Sequence, residues 1–321
     1  MRIGEGEMAI AFVFPGQGSQ DVGMGAALAK SFPAARRVFE EVDEALGHKL
    51  SAVMWEGPKE AVTLTENAQP ALRAVSMAVM RVLEAEKGFK LQDKVKFVAG
   101  HSLGEYSALA AAGTFSIADA ARLLKLRGQA MQKAVPVGVG AMAALLGVGM
   151  DVAKLIAADA AQGDCCDIAN DNDPGQVVLS GHKTAIDRVA EAGKKHGLRR
   201  AMPLPVSAPF HCALMQPAAD AMAEALSKVA MQAPVVPVVC NVLAQPISDP
   251  AEIRRCLVEQ VTGTVRWREC VLAMASAGVT QFYEIGSGKV LSGLAGRIDK
   301  SLKAQPVGTP ADIEAALGGL G

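Results

Sequence analysis

Val95-Lys96-Phe97-Val98-Ala99-Gly100-His101-Ser102-Leu103-Gly104-Glu105-Tyr106-Ser107-Ala108-Leu109-Ala110-Ala111-Ala112 decides how this 321-residue chain is read. A short apolar run, Val95–Ala99, meets a glycine, and an Ala/Leu-rich stretch follows from Leu103 to Ala112. Apolar runs closed by turn residues suit strands buried on both faces, and the Ala-rich stretch suits a helix. The junction, Gly100-His101-Ser102-Leu103-Gly104, is a G-x-S-x-G. Between strand and helix this pattern makes a tight turn that needs small residues two before and two after the serine. The serine hydroxyl then projects from the sheet edge over a helix N-terminus, whose unpaired N–H groups favour developing negative charge.

Outward from the elbow the pattern recurs. Ala9–Phe14 meets Pro15-Gly16, and Thr280–Ile285 meets Gly286-Ser287-Gly288. Helical stretches at Pro70–Glu86, Ile117–Ala134 and Met215–Ala230 lie between, so a largely parallel sheet covered on both faces is expected. The middle reads differently: strand (Ala141–Val148), helix (Met150–Ala161), strand (Cys166–Asn170), turn (Asn172-Asp173-Pro174-Gly175), strand (Gln176–Ser180), helix (Lys183–His196), strand (Arg199–Leu204). That order is β-α-β-β-α-β, the ferredoxin-like arrangement. The expected fold is α/β: an α/β-hydrolase-like large domain in two parts, 1–137 and 206–321, with a ferredoxin-like subdomain at 138–205. A cleft between the two is a natural ligand site.

Half the residues are hydrophobic and 20% are charged, which supplies a packed core and excludes a disordered or fibrous chain. A net charge of −1 argues against a duplex nucleic-acid partner. No apolar run approaches the ~20 residues that cross a bilayer. Residues 1–7 lack the apolar stretch of a secretory signal and read as an extension before Met8. Cys165, Cys166, Cys212, Cys240, Cys256 and Cys270 form no C-x-x-C pair, so reduced thiols in the cytoplasm and no metal are expected. Neither Phe12–Gln20 nor Gly286–Lys289 has the spacing of a nucleotide phosphate cradle, and no cofactor is expected.

A serine nucleophile needs a base. Of the five histidines, His101 is bound into the elbow, and His48, His182 and His196 sit in polar contexts. His211, in Val206-Ser207-Ala208-Pro209-Phe210-His211-Cys212, lies where the chain re-enters the large domain. A base or a purely structural histidine both fit that position, and Cys212 is a rival nucleophile without an elbow. The Gly-rich loop Phe14–Gln20 offers a backbone N–H as second oxyanion donor beside that of Leu103. Ser116 and Asp119 stand at capping-box spacing before a helix whose apolar face includes Ile117, Ala120, Leu124 and Met131. Arg127 falls on that same face. A guanidinium there costs several kcal/mol, roughly, unless an anion meets it. The anion is either an internal acid or part of a substrate, and the planar fork suits a carboxylate. Lys194, Lys195, Arg199 and Arg200 form the one dense basic cluster, a solvated face or a docking patch for an acidic partner.

Together, Phe14–Gln20, Gln69–Leu72, Gly100–Glu105, Arg127–Met131, Ile168–Gly181, Pro203–His211 and Glu284–Leu291 resemble the malonyl-CoA:acyl carrier protein transacylases of fatty acid synthesis, from about Met8 to Leu317. The resemblance implies that Ser102 carries the malonyl ester and that His211 is the general base. It implies that a main-chain carbonyl at Gln260, rather than a carboxylate, orients the histidine. It further implies an oxyanion hole from the N–H groups of Gln17 and Leu103, and a carboxylate clamp at Arg127. Gln69, Met131, Asn170 and Phe210 would line the pocket, and the basic cluster would meet the acidic carrier protein. The partners so implied are malonyl-CoA and acyl carrier protein, with neither nucleic acid nor membrane. A serine thioesterase or esterase is the nearest rival. A malonyl transferase of a malonate-degrading or polyketide system would keep the same residues.

Overall fold

The computed structural model describes residues 9–320; the extension read at residues 1–7 lies outside them. Among the described residues, two sheets hold β1 (Ala9–Phe14), β2 (Val95–Gly100), β3 (Gly140–Leu146), β4 (Cys166–Asp173), β5 (Gln176–His182), β6 (Arg200–Pro203), β7 (Val238–Val239), β8 (Pro246–Ile247), β9 (Val279–Ile285) and β10 (Lys303–Val307). The larger sheet runs β10-β9-β1-β2-β7-β8, parallel except for the β7–β8 pair.

Strand β1 shows why its sequence is continuously apolar. Ile10, Phe12 and Phe14 enter one core with the helices Pro33–Leu46 and Thr65–Lys87. Ala11 and Val13 enter another with Trp267, Val271 and Leu291. Parallel pairing aligns the C-terminal ends, with Phe14 opposite Gly100. The Gly-rich loop and the elbow therefore emerge side by side, and His101 N–H donates to Phe14 O at 3.1 Å.

The smaller sheet, β4-β5-β3-β6, is wholly antiparallel, and with helices Met150–Ala161 and Lys183–Lys194 it follows the expected β-α-β-β-α-β order. Its Ala143, Leu145, Val177 and Leu179 pack under Ile156 and Val189 of those helices. Met142, Ala144 and Val178, on the opposite face, join the core of the large sheet. A backbone stitch reinforces the join: Val265 N–H donates to Ala169 O at 2.9 Å and Asp171 N–H to Val265 O at 3.0 Å.

Several boundaries differ from the sequence reading. Asn172 and Asp173 belong to β4, leaving Pro174-Gly175 as the turn. Polar residues hold a strand there because Arg268 Nε donates to both Asp171 oxygens (3.1 and 3.0 Å) and Arg297 Nε to Asp173 Oδ2 (2.7 Å). The helix read from Pro70 starts at Thr65, and the one read to Ala230 ends at Ser227. Strands β7, β8 and β10 were not foreseen. β7 and β8 are two residues each, and β10 is an edge strand whose Pro306 and polar residues leave no apolar run.

Candidate active site

The elbow closes because it has no side chains to spare. A Cβ on Gly100 would lie 1.9 Å from the Gly104 carbonyl, and one on Gly104 would lie 2.2 Å from Phe14 O. Ser102 sits between them with φ 53°, a left-handed conformation that costs a non-glycine residue of order 1–3 kcal/mol. Two amides from the last third of the chain hold it. Ser102 N–H donates to Asn241 Oδ1 at 2.9 Å, and Gln260 Nε2 donates to Ser102 O at 3.0 Å.

His211 also has a positive φ, 59°, and its ring reaches Ser102: Nε2 to Oγ is 2.7 Å. Its Nδ1 lies 2.7 Å from the main-chain oxygen of Gln260. A carbonyl only accepts, so Nδ1 carries the proton and Nε2 presents a lone pair to the serine hydroxyl. That carbonyl is available for a simple reason. Gln260 lies in the last turn of helix Pro250–Thr262, where carbonyls lack helical partners. Burial, and then the Arg127 cation, push the His211 pKa down to about 3, so the imidazole stays neutral.

Arg127 is 1% exposed, on helix Ile117–Ala134. Its Nη1 donates to Gln69 Oε1 at 2.8 Å, and its Nη2 to Gln260 Oε1 at 2.9 Å and Ser102 Oγ at 3.2 Å. Nε has no partner, and among the described residues no carboxylate pairs with the guanidinium. The internal acid that the sequence left open as a partner does not touch the guanidinium; the nearest, Glu105, stands on the far side of the Gln260 amide. Gly128 explains how two helices come close enough: its Cβ would lie 2.5 Å from Glu66 Cα, so helix Thr65–Lys87 approaches to bare backbone contact. That approach seats Gln69 beside Arg127. Gln69 Nε2 in turn donates to Thr65 Oγ1 (3.0 Å), whose hydroxyl donates to Gln17 Oε1 (2.9 Å).

These groups open onto a cleft of about 270 Å³ between the two sheets, lined by Gln17, Gln69, Ser102, Leu103, Arg127, Met131, Asn170, Phe210 and His211. Every pocket residue read from the sequence is therefore brought together. Among the described residues neither Gln17 N–H nor Leu103 N–H has an internal acceptor. His101 turns elsewhere, with Nε2 2.9 Å from Asn172 Oδ1 and its ring 5.7 Å from Trp267. The basic cluster lies apart from the cleft lining and divides. Lys194 pairs with Glu191 and Lys195 with Asp159, whereas exposed Arg199 and Arg200 have no ion-pair partner among the described residues.

Two residues were missed. Asn241 Nδ2 donates to Gly100 O at 2.8 Å while its Oδ1 holds the serine amide. Glu105 Oε2 accepts from Gln260 Nε2 (2.8 Å) and Asn241 N–H (3.1 Å), and Oε1 has no partner. Burial pushes the Glu105 carboxyl up to about 7. The signal for Glu105 was present: a charge in an otherwise apolar helix, the argument that singled out Arg127. Asn241 carried no such mark.

The chain matches the model of the acyl transferase domain over residues 11–302. It is 48% identical over 309 residues to the malonyl CoA-acyl carrier protein transacylase of Escherichia coli K12, covering 96% of this chain and 98% of that protein. The crystal structure of an acyl-carrier-protein-S-malonyltransferase from Bartonella henselae superposes with a TM-score of 0.95 at 57% identity, covering 98% of this chain and 99% of that one. A malonyl-transacylase in complex with a type II PKS acyl-carrier protein superposes with a TM-score of 0.93 at 45% identity, over 97% of this chain and 99% of that one. With near-complete coverage at these identities, this chain belongs to the malonyl CoA-acyl carrier protein transacylases of the acyl transferase domain family.

Proposed function

We propose that the chain moves a malonyl group from malonyl-CoA to the phosphopantetheine thiol of an acyl carrier protein through a malonyl ester on Ser102, supplying fatty acid elongation. The observation that carries this reading is Arg127: a buried guanidinium whose hydrogen-bond partners are two neutral amides and the Ser102 hydroxyl. An anionic acyl group supplies the direct carboxylate partner that the fold withholds, since Glu105 is kept behind the Gln260 amide.

In the first half-reaction His211 Nε2 takes the Ser102 proton as Oγ attacks the thioester carbonyl. The free N–H groups of Gln17 and Leu103 receive the oxyanion. One such donor is typically worth about 3 kcal/mol of barrier. The C–S bond breaks, and coenzyme A leaves with the proton from His211. In the second half His211 Nε2 takes the proton of the carrier thiol, the thiolate attacks the ester carbonyl, and as the bond from the acyl carbon to Ser102 Oγ breaks His211 returns the proton to that oxygen. Gln260 holds the imidazole through its carbonyl and Arg127 through its side chain. Gln69, Met131, Asn170 and Phe210 shape the acyl pocket, and Phe210 beside the base crowds a 2-methyl branch. Arg199 and Arg200 are better suited to an acidic carrier than Lys194 and Lys195, whose charges are already matched.

We place the chain in the cytoplasm, with six reduced thiols and, among the described residues, no helix long and apolar enough to cross a membrane. The large part, 1–137 with 206–321, is read as α/β-hydrolase-like in its strand–elbow–helix, with 138–205 as an inserted subdomain. Intact-mass measurement after mixing with malonyl-CoA tests the reaction. The expected result is a malonyl adduct on wild type, none on Ser102→Ala, and discharge only when a carrier thiol is added. Rapid discharge by water would indicate a thioesterase, and an unlabelled wild type would overturn the reading.

A further inference from the structure

Cys165 and Asp167 are two residues apart, but Cys212 is far from both in sequence, and no C-x-x-C pair marks the three as metal ligands. The fold nonetheless gathers them, with both thiol sulfurs and a carboxylate oxygen within 4.8 Å of one another. Cys165 immediately precedes β4, with its carbonyl accepting from His182 N–H at 2.9 Å, and Asp167, two residues on, is the second residue of that strand. Cys212 arrives from the segment after β6. Its thiol donates to Pro209 O at 3.1 Å, Cys165 Sγ donates to Asp167 Oδ2 at 3.3 Å, and Ala213 N–H donates to the same oxygen at 2.8 Å. Ser180 stands opposite Asp167 in the β4–β5 register, so the two side chains share one face of the small sheet. Its hydroxyl is fully buried, makes no hydrogen bond of ordinary geometry and faces the Cys212 sulfur.

We propose that Cys165, Asp167 and Cys212 form a regulatory site for a soft divalent cation of the zinc type. Two thiolates and one carboxylate are ligands that zinc takes. Tetrahedral Zn–S bonds of about 2.3 Å set the sulfurs about 3.8 Å apart, a spacing this cluster reaches by small side-chain movements. The fourth position falls to water or to the Ser180 hydroxyl. Cys165 and Asp167 are partly exposed, which gives the ion a way in. Two thiol protons leave on binding, so the site tightens as pH rises.

The consequence for the enzyme follows from chain position. Cys212 is the residue after His211, whose backbone is already in a left-handed conformation. Drawing Cys212 Sγ onto a metal breaks its bond to Pro209 O and pulls on the peptide that aims the imidazole at Ser102. Occupancy therefore slows acyl loading. Only this effect rests on the proposed function; binding itself does not.

The test uses the full chain, stripped with chelator, then dialysed against zinc, with cadmium as a spectroscopic probe. One equivalent of zinc and a cadmium–thiolate charge-transfer band are expected for wild type, with at least ~10-fold weaker binding in Cys165→Ser and in Asp167→Asn. Saturating zinc should slow malonyl loading several-fold in wild type, while Cys165→Ser, which loads normally without metal, should resist. Unchanged zinc affinity in Cys165→Ser, or no thiolate band, overturns the site. Equal inhibition of both proteins puts the metal elsewhere, and loss of two titratable thiols without bound metal means a disulfide instead; either result refutes the proposal. Absence of a malonyl adduct before metal is added would count against the transfer reaction and leave the binding measurement standing.

Discussion

Arg127 and Glu105 are opposite charges buried within one amide's reach of each other, and Gln260 is that amide: its Oε1 accepts from the guanidinium and its Nε2 donates to the carboxylate. Removing the cation tests what it is for. Arg127→Ala should cut malonyl loading by about 10- to 100-fold, from the roughly 1.5–3 kcal/mol of a charged hydrogen bond, and leave acetyl loading less affected. Parallel losses for both acyl groups would dismiss the clamp. Glu105 is tested by pH. Its carboxyl is raised from 4.5 to about 7, so the folded state binds the proton more tightly than the unfolded one. Its contribution to stability is complete below the unfolded value and is lost as pH rises through 7. Melting temperatures of wild type and Glu105→Gln between about pH 5 and pH 8 should therefore diverge, with wild type declining more steeply. Parallel curves would show that the carboxyl does not titrate there. Arg127 was legible in the sequence because helical periodicity put it on an apolar face. Asn241 was not, because its partners, Gly100 and Ser102, become neighbours only after β7 pairs with β2.

At the scale of elements, the elbow depends on backbone passing backbone. Gly104→Ala sets a methyl group 2.2 Å from Phe14 O, which no rotamer relieves. We expect a loss of at least ~1–3 kcal/mol in urea unfolding, with loading reduced further as the serine is displaced. Wild-type stability in this variant would mean the turn is looser than its geometry. Helix Thr65–Lys87 contains the opposite case. Arg73 is 0% exposed, its three guanidinium nitrogens have no hydrogen-bond partner, and burial pushes it down to about 9. It touches nothing in the site. Arg73→Met keeps the volume and removes a desolvated charge that Glu41 and Asp119 offset only without hydrogen bonds, so thermal stability should rise, with loading unchanged. A destabilised variant would reveal an unseen partner. The strands β1, β2 and β9 were readable from their buried apolar runs, and the helix Ile117–Ala134 from its period. β10 was not, because an edge strand answers to its neighbour β9 rather than to a core on both sides.

At the scale of the whole molecule, the two sheets share a core, and the cleft is the seam between them. Met142 packs into that core from the small sheet and also lines the cleft. The β-α-β-β-α-β order was legible from alternating helix and strand patterns, but the seam was not, because it joins β4 to Val265, nearly a hundred residues on. The surface offers the matching experiment. Reversing Arg199 and Arg200 to Glu should slow transfer to the carrier protein about 10-fold at low salt while sparing loading from malonyl-CoA. Equal damage to both half-reactions would exclude a docking role. The serine's supports, finally, come late in the chain: Asn241 for its amide, Gln260 for its carbonyl and for His211. On the proposed mechanism, a polypeptide still emerging from the ribosome carries the Ser102 segment before the residues that hold it and should stay inert toward thioesters until they are made.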